Sequence, residues 1–556
     1  MSVTGDVKVQ TQSGVFTREV INSKNVDFDK AIELTGFGKF QYMIITLCGL
    51  IFCCVGFQNG LNAYVMPSAE CDLKMSSNEK GLLNAVFLAG GLASAFFWGI
   101  LADLMGRKKI LVFSLILDGI VTAVSSLSQN FLLFAAFRFM NGFLIGAPGS
   151  IVVAYLGEFL TNKHRAPSLC AVGFFWTISW MILPAAALGI MPLTWAYRVD
   201  GFVYNSWRIY VAIFSVPTLI CGLILGIFFP ESPKFLYSQG RNEETVNVFR
   251  HMFHVTYGNK CGDYPVVTLA AEEKDRSSKL ENSNNVRPTK NSGALICGIL
   301  RQVWSQISYL FSYPVIFSTV LASSLMFSNM FGYYGLGLWL PELFNRFHDH
   351  YKVSNVSATV CEITRQKFES TQQPLDILEF NNSSLNHTLS LGEECLINEI
   401  SPTVFVNTFI IGASCLIGNV LSALLAKRLG LKSLTIITAL ISGICAIAIY
   451  FLRTPGQNLL ISCLFLTFVG TGNMVLTSVI VDLFATKVRA LAVCTAIFAG
   501  RLGAVASNLT LGYFLDISCE IPIFLMGFIL LCGCFLGFFL PKEQAHDGEE
   551  KSTASI

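Results

Sequence analysis

Long apolar blocks alternate with short polar segments along this chain. A bilayer core is crossed by about 20 apolar helical residues, and twelve blocks are close to that length or longer. A membrane barrel would instead show strands of about ten residues with alternating polarity, which the sequence lacks. The pattern therefore predicts an all-α membrane protein with twelve transmembrane helices, at 40–66, 81–102, 109–128, 131–157, 168–191, 208–229, 314–342, 403–426, 432–452, 458–481, 490–512 and 521–540.

The predicted spans form two groups of six, separated by a polar stretch that contains AEEKDRSSKLENSNNVRPTKNSG. This composition is typical of a flexible linker. Two six-helix halves are a repeat arrangement of many secondary transporters, which hold their substrate between the halves. We expect an N-terminal segment 1–38, an N-terminal half 39–229, a central loop 230–313, a C-terminal half 314–540 that includes a long loop 343–402, and a tail 541–556.

Composition narrows the class of protein. Hydrophobic residues make up 53% of the 556 residues and charged residues only 13%, whereas soluble proteins are nearer a quarter charged. A soluble enzyme, a disordered scaffold and a secreted disulfide-rich domain are thereby excluded, and the lipid bilayer is the expected solvent. The net charge of +2 gives no reason to expect nucleic acid. No nucleophile, cofactor or metal motif is present, so no catalytic residue, cofactor or metal ligand is predicted.

The short loops predict the orientation, because basic residues concentrate on the cytosolic side. Ten basic residues flank one side and five the other, which places both termini and the central loop in the cytosol. No cleavable signal peptide is expected. The 343–402 loop then faces the lumen or exterior, where glycosylation occurs. Four acceptor sequons lie in that loop, at Asn355, Asn381, Asn382 and Asn386, whereas a fifth at Asn508 lies inside a span and should be silent.

Most of the 17 cysteines lie in predicted spans, where a thiol behaves as a small apolar group. Four lie in the predicted lumenal loops, at Cys71, Cys361, Cys395 and Cys519. Cys361 with Cys395 is the preferred disulfide because both belong to one loop. Four cysteines allow three pairings, however, so the others stay open.

The turn between the second and third spans carries the most specific motif. It reads Gly99-Ile-Leu-Ala-Asp103-Leu-Met-Gly106-Arg107-Lys108-Lys109. This resembles the GxxxDxxGRK motif of the major facilitator superfamily, which implies a fold of two six-helix halves. Glycines permit a tight turn, and Asp103 can pair with Arg107 or accept from a helix N-terminus of the other half. In the second half Lys427 replaces the acid, so a matching contact there is in doubt.

Three further motifs resemble the sugar-transporter-like branch of that superfamily. They begin at Arg138, at Pro230 (PESPKFL) and at Asp482 (DLFATKVR). The resemblance implies a cytosolic gate in which Glu158 meets Arg489 and Asp482 meets Arg165, in addition to Asp103 and Arg107. Such pairs would hold one of two packings of the halves. The alternative is that these charges only anchor helix ends at the membrane interface.

Other stretches resemble the synaptic vesicle glycoprotein 2 family. They are FDKAIELTGFGKFQY from Phe28, FGYYGLGLWLP from Phe331 and GNVLSA from Gly418. The resemblance covers nearly all the spans and implies a glycosylated lumenal loop between spans seven and eight. Here that loop has only about 60 residues and lacks the longer insert of the family.

Ionisable groups inside spans are candidates for function, since they are costly in lipid unless paired or hydrated. Asp118 and Arg138 are at depths that differ by about 3 Å, counted from the turn between their helices. We expect them to pair or to share a hydrated cavity; a purely structural ion pair is the alternative. Arg501 lies near mid-depth and favours an anionic group on the ligand, with hydration or pairing to Asp118 as alternatives.

The remaining substrate-pathway candidates are neutral. Hexose porters carry paired glutamines before the aromatic pair of span seven, but Ser323 and Ser324 stand there; only Asn329 and Tyr333-Tyr334 are kept. A hexose is therefore disfavoured. Span one carries Gln58, which can bind a ligand by hydrogen bonds but cannot carry a proton, so Asp118 is the coupling candidate. Four aromatic residues either line a cavity or serve as packing: Trp176, Trp180, Tyr334 and Trp339.

Two functions follow from these observations. The first is a secondary transporter that moves a small organic solute by alternating access. In one alternative this solute carries an anionic group. The second is a non-transporting vesicle membrane glycoprotein that regulates secretion through vesicle-protein partners, because a fold does not by itself fix function. The expected location is the membrane of a secretory or synaptic vesicle, or the plasma membrane.

Overall fold

A computed structural model describes twelve stretches of the chain. They are residues 6–11, 14–19, 24–95, 97–193, 195–199, 201–258, 263–270, 308–313, 315–353, 358–365, 401–484 and 489–541. The predicted glycosylation sites Asn355, Asn381, Asn382 and Asn386 lie outside these residues, as does Cys395.

The N-terminal half consists of long helices of apolar composition with short connections. After the short helix α1 (Phe28–Leu34) come the helices of this half, α2 (Lys39–Ala69), α3 (Ser77–Ala93), α4 (Phe97–Met105), α5 (Arg107–Ser125), α6 (Phe131–Gly157), α7 (Asn162–Ile190) and α8 (Ser206–Phe228). The helices α3 and α4 meet at a bend of 41° and together occupy the second predicted span. The halves are then separated by α9 (Pro233–Ser238) and α10 (Asn242–Tyr257).

The C-terminal half repeats this arrangement. Its helices are α11 (Val315–Val353), α12 (Pro402–Leu429), α13 (Leu431–Ala448), α14 (Pro455–Leu483), α15 (Arg489–Phe514) and α16 (Glu520–Gly537), and the 3₁₀ turn Ile449–Phe451 extends α13. Among the described residues, ten helices are long and apolar enough to span a membrane, and the bent pair makes eleven. The twelfth, α5, begins with Arg107-Lys108-Lys109 and carries Asp118. Each predicted span coincides with one of these helices or, for the second span, with the bent pair, which confirms the twelve-helix prediction.

Glycines set the closest helix contacts in the N-terminal half. A Cβ atom on Gly142 of α6 would lie 1.9 Å from the carbonyl oxygen of Phe87 on α3, so only glycine allows this approach. Gly106 has φ = +105° between α4 and α5, a backbone conformation that favours glycine. In the GxxxDxxGRK-like motif Gly106 therefore forms a turn whose backbone conformation would be strained with any other residue.

Short strands lie outside the spans, and the sequence analysis did not predict them. They form the antiparallel pairs β1 (Asp6–Thr11) with β2 (Gly14–Glu19) and β4 (Ala196–Val199) with β5 (Phe202–Asn205), and the parallel pair β3 (Lys24–Val26) with β6 (Thr268–Leu269). Strands of two to six residues carry too little alternation to stand out from the sequence. The β3–β6 pair ties the N-terminal segment to the central loop, where Tyr264 also donates to the carbonyl of Ala31 at 2.5 Å.

We call the end of the bundle at which Cys361 lies the lumenal end, and the opposite end the cytosolic end, after the orientation predicted from sequence. At the lumenal end Cys361 forms a disulfide with Cys519, with their Cα atoms 5.3 Å apart. The predicted pairing of Cys361 with Cys395 is therefore wrong. Membership in one loop was the basis of that prediction, whereas the fold brings the loop to the turn that precedes α16. Cys71 is disulfide-bonded as well.

The Cys361–Cys519 disulfide closes a loop across 158 residues, and we expect its loss to cost about 2–4 kcal/mol of stability. Cys361→Ser, Cys519→Ser and the double variant should share one lowered melting temperature in detergent, because each removes the same bond. Cys532→Ser, which removes an exposed free thiol, should leave the melting temperature unchanged. Additive losses for Cys361→Ser and Cys519→Ser would contradict the pairing.

Candidate functional site

A cavity lies between the two halves of the bundle, enclosed by α2 and α7 of the N-terminal half and α11, α12 and α14 of the C-terminal half. We call it the central cavity. It is lined by Tyr64, Trp176, Thr177, Trp180, Tyr333, Gly337, Leu340, Pro341, Thr408, Ile411, Gly412, Cys415, Asn419, Leu466, Gly470, Asn473 and Met474. None of these side chains is charged, so the site offers aromatic surface and neutral hydrogen-bonding groups.

Aromatic rings form the wall where the halves meet. Trp176 and Trp180 stand one helical turn apart on α7 and so share a face. The indole nitrogen of Trp176 donates to the Tyr333 hydroxyl at 3.4 Å, and the Trp180 ring meets the Tyr333 ring edge-on at 6.1 Å between centroids. Of the four aromatic residues considered from the sequence, Trp176 and Trp180 line the cavity, whereas Tyr334 and Trp339 do not.

A polar contact joins the halves beside this wall. The amide nitrogen of Asn419 on α12 donates to the Thr177 hydroxyl on α7 at 2.9 Å. Close by, a Cβ atom on Gly412 would lie 3.0 Å from the carbonyl oxygen of Trp180, so the two helices pack tightly there. The cavity therefore depends on the relative position of the halves, and any movement between them changes its shape.

Two buried polar atoms of the lining have no hydrogen-bond partner within the protein. They are the indole nitrogen of Trp180, a donor, and the amide oxygen of Asn473, an acceptor. A buried polar group left without a partner costs about 1–3 kcal/mol. Because the two groups line one cavity, they can be satisfied together by a ligand that carries one acceptor and one donor.

The predicted substrate-pathway residues Asp118, Arg138 and Gln58 lie in the interior of the N-terminal half and are fully buried. Arg138 donates to the side-chain oxygen of Gln58 at 2.8 Å and to its backbone carbonyl at 2.7 Å. Asp118 accepts from the amide nitrogen of Asn141 at 2.8 Å, and Asn141 lies 3.5 Å from Arg138. The predicted direct pair of Asp118 and Arg138 is not formed; Asn141 connects the two groups instead.

The guanidinium of Arg138 also lies over the ring of Phe87, 4.6 Å from its centroid. The second carboxylate oxygen of Asp118 has no hydrogen-bond partner within the protein. Gln58, Arg138 and Asp118 belong to α2, α6 and α5, so this network holds three helices of one half together. None of the three residues lines the central cavity.

The other predicted pathway residues do not line the cavity. Tyr334 donates to the side-chain oxygen of Asn59 at 3.3 Å and so joins α11 to α2. Arg501 donates to the carbonyl of Gly91 across the α15–α3 contact. Asn329 is buried in the C-terminal half. The anionic-solute hypothesis rested on Arg501, which does not line the central cavity, and its role in solute binding stays a prediction.

Charged side chains at the cytosolic end contact one another within the N-terminal half. Arg107 contacts Glu158 and lies 3.5 Å from Asp103, and the Ser232 hydroxyl donates to Glu158. Glu231 accepts from the backbone nitrogen of Lys108 at 2.8 Å, at the N-terminus of α5 where a carboxylate is favoured. The GxxxDxxGRK-like motif and the PESPKFL motif thus form a cluster with Glu158 that fixes the helix ends of this half.

The two gate pairs expected between the halves have different outcomes. Arg165 donates to the backbone carbonyls of Gly157 at 2.9 Å and Leu160 at 3.5 Å, and Asp482 is exposed. The expected Asp482–Arg165 pair is therefore not formed in this arrangement of the helices. The side chain of Arg489 lies outside the described part of the chain, so its pairing with Glu158 stays a prediction.

Comparisons with known proteins agree with these features. The family model described as Major Facilitator Superfamily matches residues 48–361. Synaptic vesicle glycoprotein 2B of Homo sapiens is 26% identical over 93% of this chain and 86% of its own length. Synaptic vesicle glycoprotein 2C of Rattus norvegicus is 25% identical over 93% of this chain and 80% of its own length.

Solved structures show a similar fold at low sequence identity. The xylose transporter XylE from E. coli in a partially occluded inward open conformation gives a TM-score of 0.59 at 15% identity, over 91% of this chain and 100% of that chain. Its inward open conformation gives 0.60 at 14% identity, over 91% of this chain and 98% of that one.

The bond between Gln58 and Arg138 generates a testable prediction. Gln58→Ala removes the side-chain acceptor of a buried guanidinium but keeps the backbone carbonyl of residue 58 as an acceptor, so we expect a loss of about 1.5–3 kcal/mol, measured as a lowered melting temperature in detergent. Gln239→Ala, the same change at an exposed position, is the matched control and should leave the melting temperature unchanged. Equal stability of Gln58→Ala and the control would show that Arg138 has other compensation.

Proposed function

Because the chain belongs to the major facilitator superfamily, we propose that it is a secondary transporter that moves a small, neutral organic solute by alternating access. The proposal rests on a cavity lined by both halves, because repeat-built transporters hold their substrates between their halves. The sequence contains no GxxxxGK[ST] phosphate-binding motif, which leaves solute and ion gradients as the proposed source of energy.

The chemistry of the lining supports a neutral solute. The unpartnered Trp180 nitrogen and Asn473 oxygen match a ligand with one acceptor and one donor, such as an amide or a hydroxylated ring. The absence of charge from the lining residues means that a charged solute would lose its hydration without gaining a counter-ion, which is costly. The rings of Trp176, Trp180 and Tyr333 favour a flat or apolar face on the solute.

The buried network in the N-terminal half is the proposed place for coupling to an ion. Gln58 holds Arg138 from span one but is neutral and cannot exchange a proton. Asp118 is ionisable, has one carboxylate oxygen without a protein partner and is linked to Arg138 through Asn141. We therefore assign the coupling role, if transport uses a proton, to Asp118, with a structural role for Gln58.

Transport by purified protein in liposomes tests the proposal. A panel of labelled neutral, anionic and cationic solutes should give flux with neutral members only. Trp180→Phe and Asn473→Leu each remove one hydrogen bond to the solute, worth about 0.5–1.5 kcal/mol, and should weaken apparent affinity about two- to tenfold. Trp195→Phe, at an exposed tryptophan, is the matched control and should transport as wild type.

Two results would overturn this proposal. Flux restricted to anionic solutes would contradict the neutral cavity, and equal affinities in Trp180→Phe, Asn473→Leu and the control would remove the cavity from the pathway.

Asp118→Asn should preserve folding and abolish any dependence of flux on a proton gradient. An unchanged dependence would remove Asp118 from the coupling role.

A second candidate is a vesicle membrane glycoprotein that regulates secretion. The observation in its favour is the similarity, over 93% of this chain, to proteins named synaptic vesicle glycoprotein 2. In this case the chain would reside in a vesicle membrane, bind protein partners and move no solute.

Location and flux together separate the two candidates. For the vesicle function we expect the tagged protein to co-purify with secretory vesicles, and its loss to change secretion in cells even when Trp180→Phe and Asn473→Leu are supplied in its place. For the transporter function the same cavity variants should fail to restore the wild-type phenotype. A plasma-membrane location with cavity-dependent flux would exclude the vesicle candidate.

A further inference from the structure

A network of charged side chains with a buried centre joins the two halves at the lumenal end, and the hydrophobic pattern of the sequence does not predict it. The ammonium of Lys80 on α3 lies 2.9 Å from the Glu342 carboxylate on α11 and 2.8 Å from Glu70. Both Lys80 and Glu342 are fully buried, with side-chain exposures of 0%. The pair therefore joins the N-terminal and C-terminal halves at a place that water does not reach.

Arg346 extends this network by one helical turn along α11. It donates to Glu342 at 2.9 Å, to Asp516 beyond the end of α15 at 3.1 Å, and to the Ser77 hydroxyl at the start of α3 at 2.9 Å. Lys80 and Arg346 thus contact three carboxylates between them. Each of these two cations has at least one partner in the opposite half. Arg346 is also buried, with 4% of its side chain exposed.

The backbones of the two halves touch beside these charges. A Cβ atom on Gly81, which follows Lys80, would lie 2.6 Å from the Cα atom of Gly512 on α15. No side chain can separate the helices there, so the ion network and the glycine contact close the lumenal end together. At the cytosolic end the described side chains, which do not include that of Arg489, link Arg107 to Glu158 and Arg165 to Gly157, both within the N-terminal half.

We propose that Lys80, Glu342, Arg346 and Asp516 form a lumenal lock, which holds the halves together at that end and must open before the central cavity can reach the lumen. Separating the halves would pull Lys80 from Glu342 and Arg346 from Ser77, and water would then have to replace these partners. Lys80 would keep Glu70, and Arg346 would keep Glu342 and Asp516, within their own halves. Each cation would still lose its partner across the boundary, so the network favours the arrangement closed at the lumenal end. The lock presupposes two alternating arrangements of the halves, but not a particular solute.

The free thiol of Cys415 lines the central cavity and reports on lumenal opening without any flux measurement. The full-length protein is placed in cells with its predicted lumenal side outward, and a membrane-impermeant methanethiosulfonate reagent is added outside. Labelling that disappears in Cys415→Ser defines the cavity signal. We expect wild type to label slowly, and Lys80→Met and Glu342→Gln to label about tenfold faster or more, because each removes one partner of the buried pair.

Matched variants separate the lock from a general disturbance of the lumenal end. Glu79→Gln changes the residue next to Lys80. The Glu79 carboxylate caps the start of α3 through Ser76, so this variant should label as wild type. Asp516→Asn and Ser77→Ala remove outer contacts of Arg346 and should give intermediate rates. These two milder changes keep the Lys80–Glu342 pair, so they test the lock even when Lys80→Met or Glu342→Gln is not recovered as a folded protein.

Four outcomes decide the matter. The graded order of rates, with folded variants by size-exclusion chromatography, supports the lumenal lock. Wild-type rates in Asp516→Asn, Ser77→Ala and every folded variant of the buried pair would overturn it, as would equal acceleration by Glu79→Gln. Graded labelling without any solute flux would reject the proposed transport while leaving the lock intact.

Discussion

Polar side chains inside this bundle have neither bulk water nor a polar lipid region to bind, so each depends on a partner within the protein. Arg138 finds that partner in Gln58, Lys80 in Glu342 and Asn419 in Thr177. The first contact holds helices within one half together, and the other two hold the halves to each other. One constraint therefore accounts both for the rigidity of a half and for the closure of the boundary between halves.

The same constraint gives meaning to the few polar atoms that lack a partner. In the central cavity the nitrogen of Trp180 and the oxygen of Asn473 are left over, and they face a space lined by aromatic and neutral residues. A buried polar group without a hydrogen-bond partner is destabilising, so binding of a ligand that satisfies both groups is favoured. The lumenal lock then decides when such a ligand can exchange with the lumenal side. Cavity and lock are linked because both depend on the relative position of α3, α7, α11 and α12.

Much of the fold could be predicted from the sequence, because hydrophobic length in a membrane is a one-dimensional property. The twelve spans and the turn at Gly106 needed no knowledge of packing. The site was harder, because depth along a helix says nothing about which direction a side chain faces. Asp118 and Arg138 were expected to pair from their similar depths, but Asn141 and Gln58 take their bonds. Lys80 is one of the five basic residues on the predicted lumenal side of the sequence, and only the packing of α11 places Glu342 beside it. The pairing of Cys519 with Cys361 likewise depends on which turns the fold brings together.

The most direct measurement of the central claim is protection of Cys415 by a transported solute. A neutral solute that carries one hydrogen-bond acceptor and one donor should slow the modification of Cys415 in wild type as it fills the central cavity. It should protect much less in Trp180→Phe or Asn473→Leu. Protection by anionic solutes alone, or equal protection in wild type and both variants, would contradict a neutral solute site in this cavity.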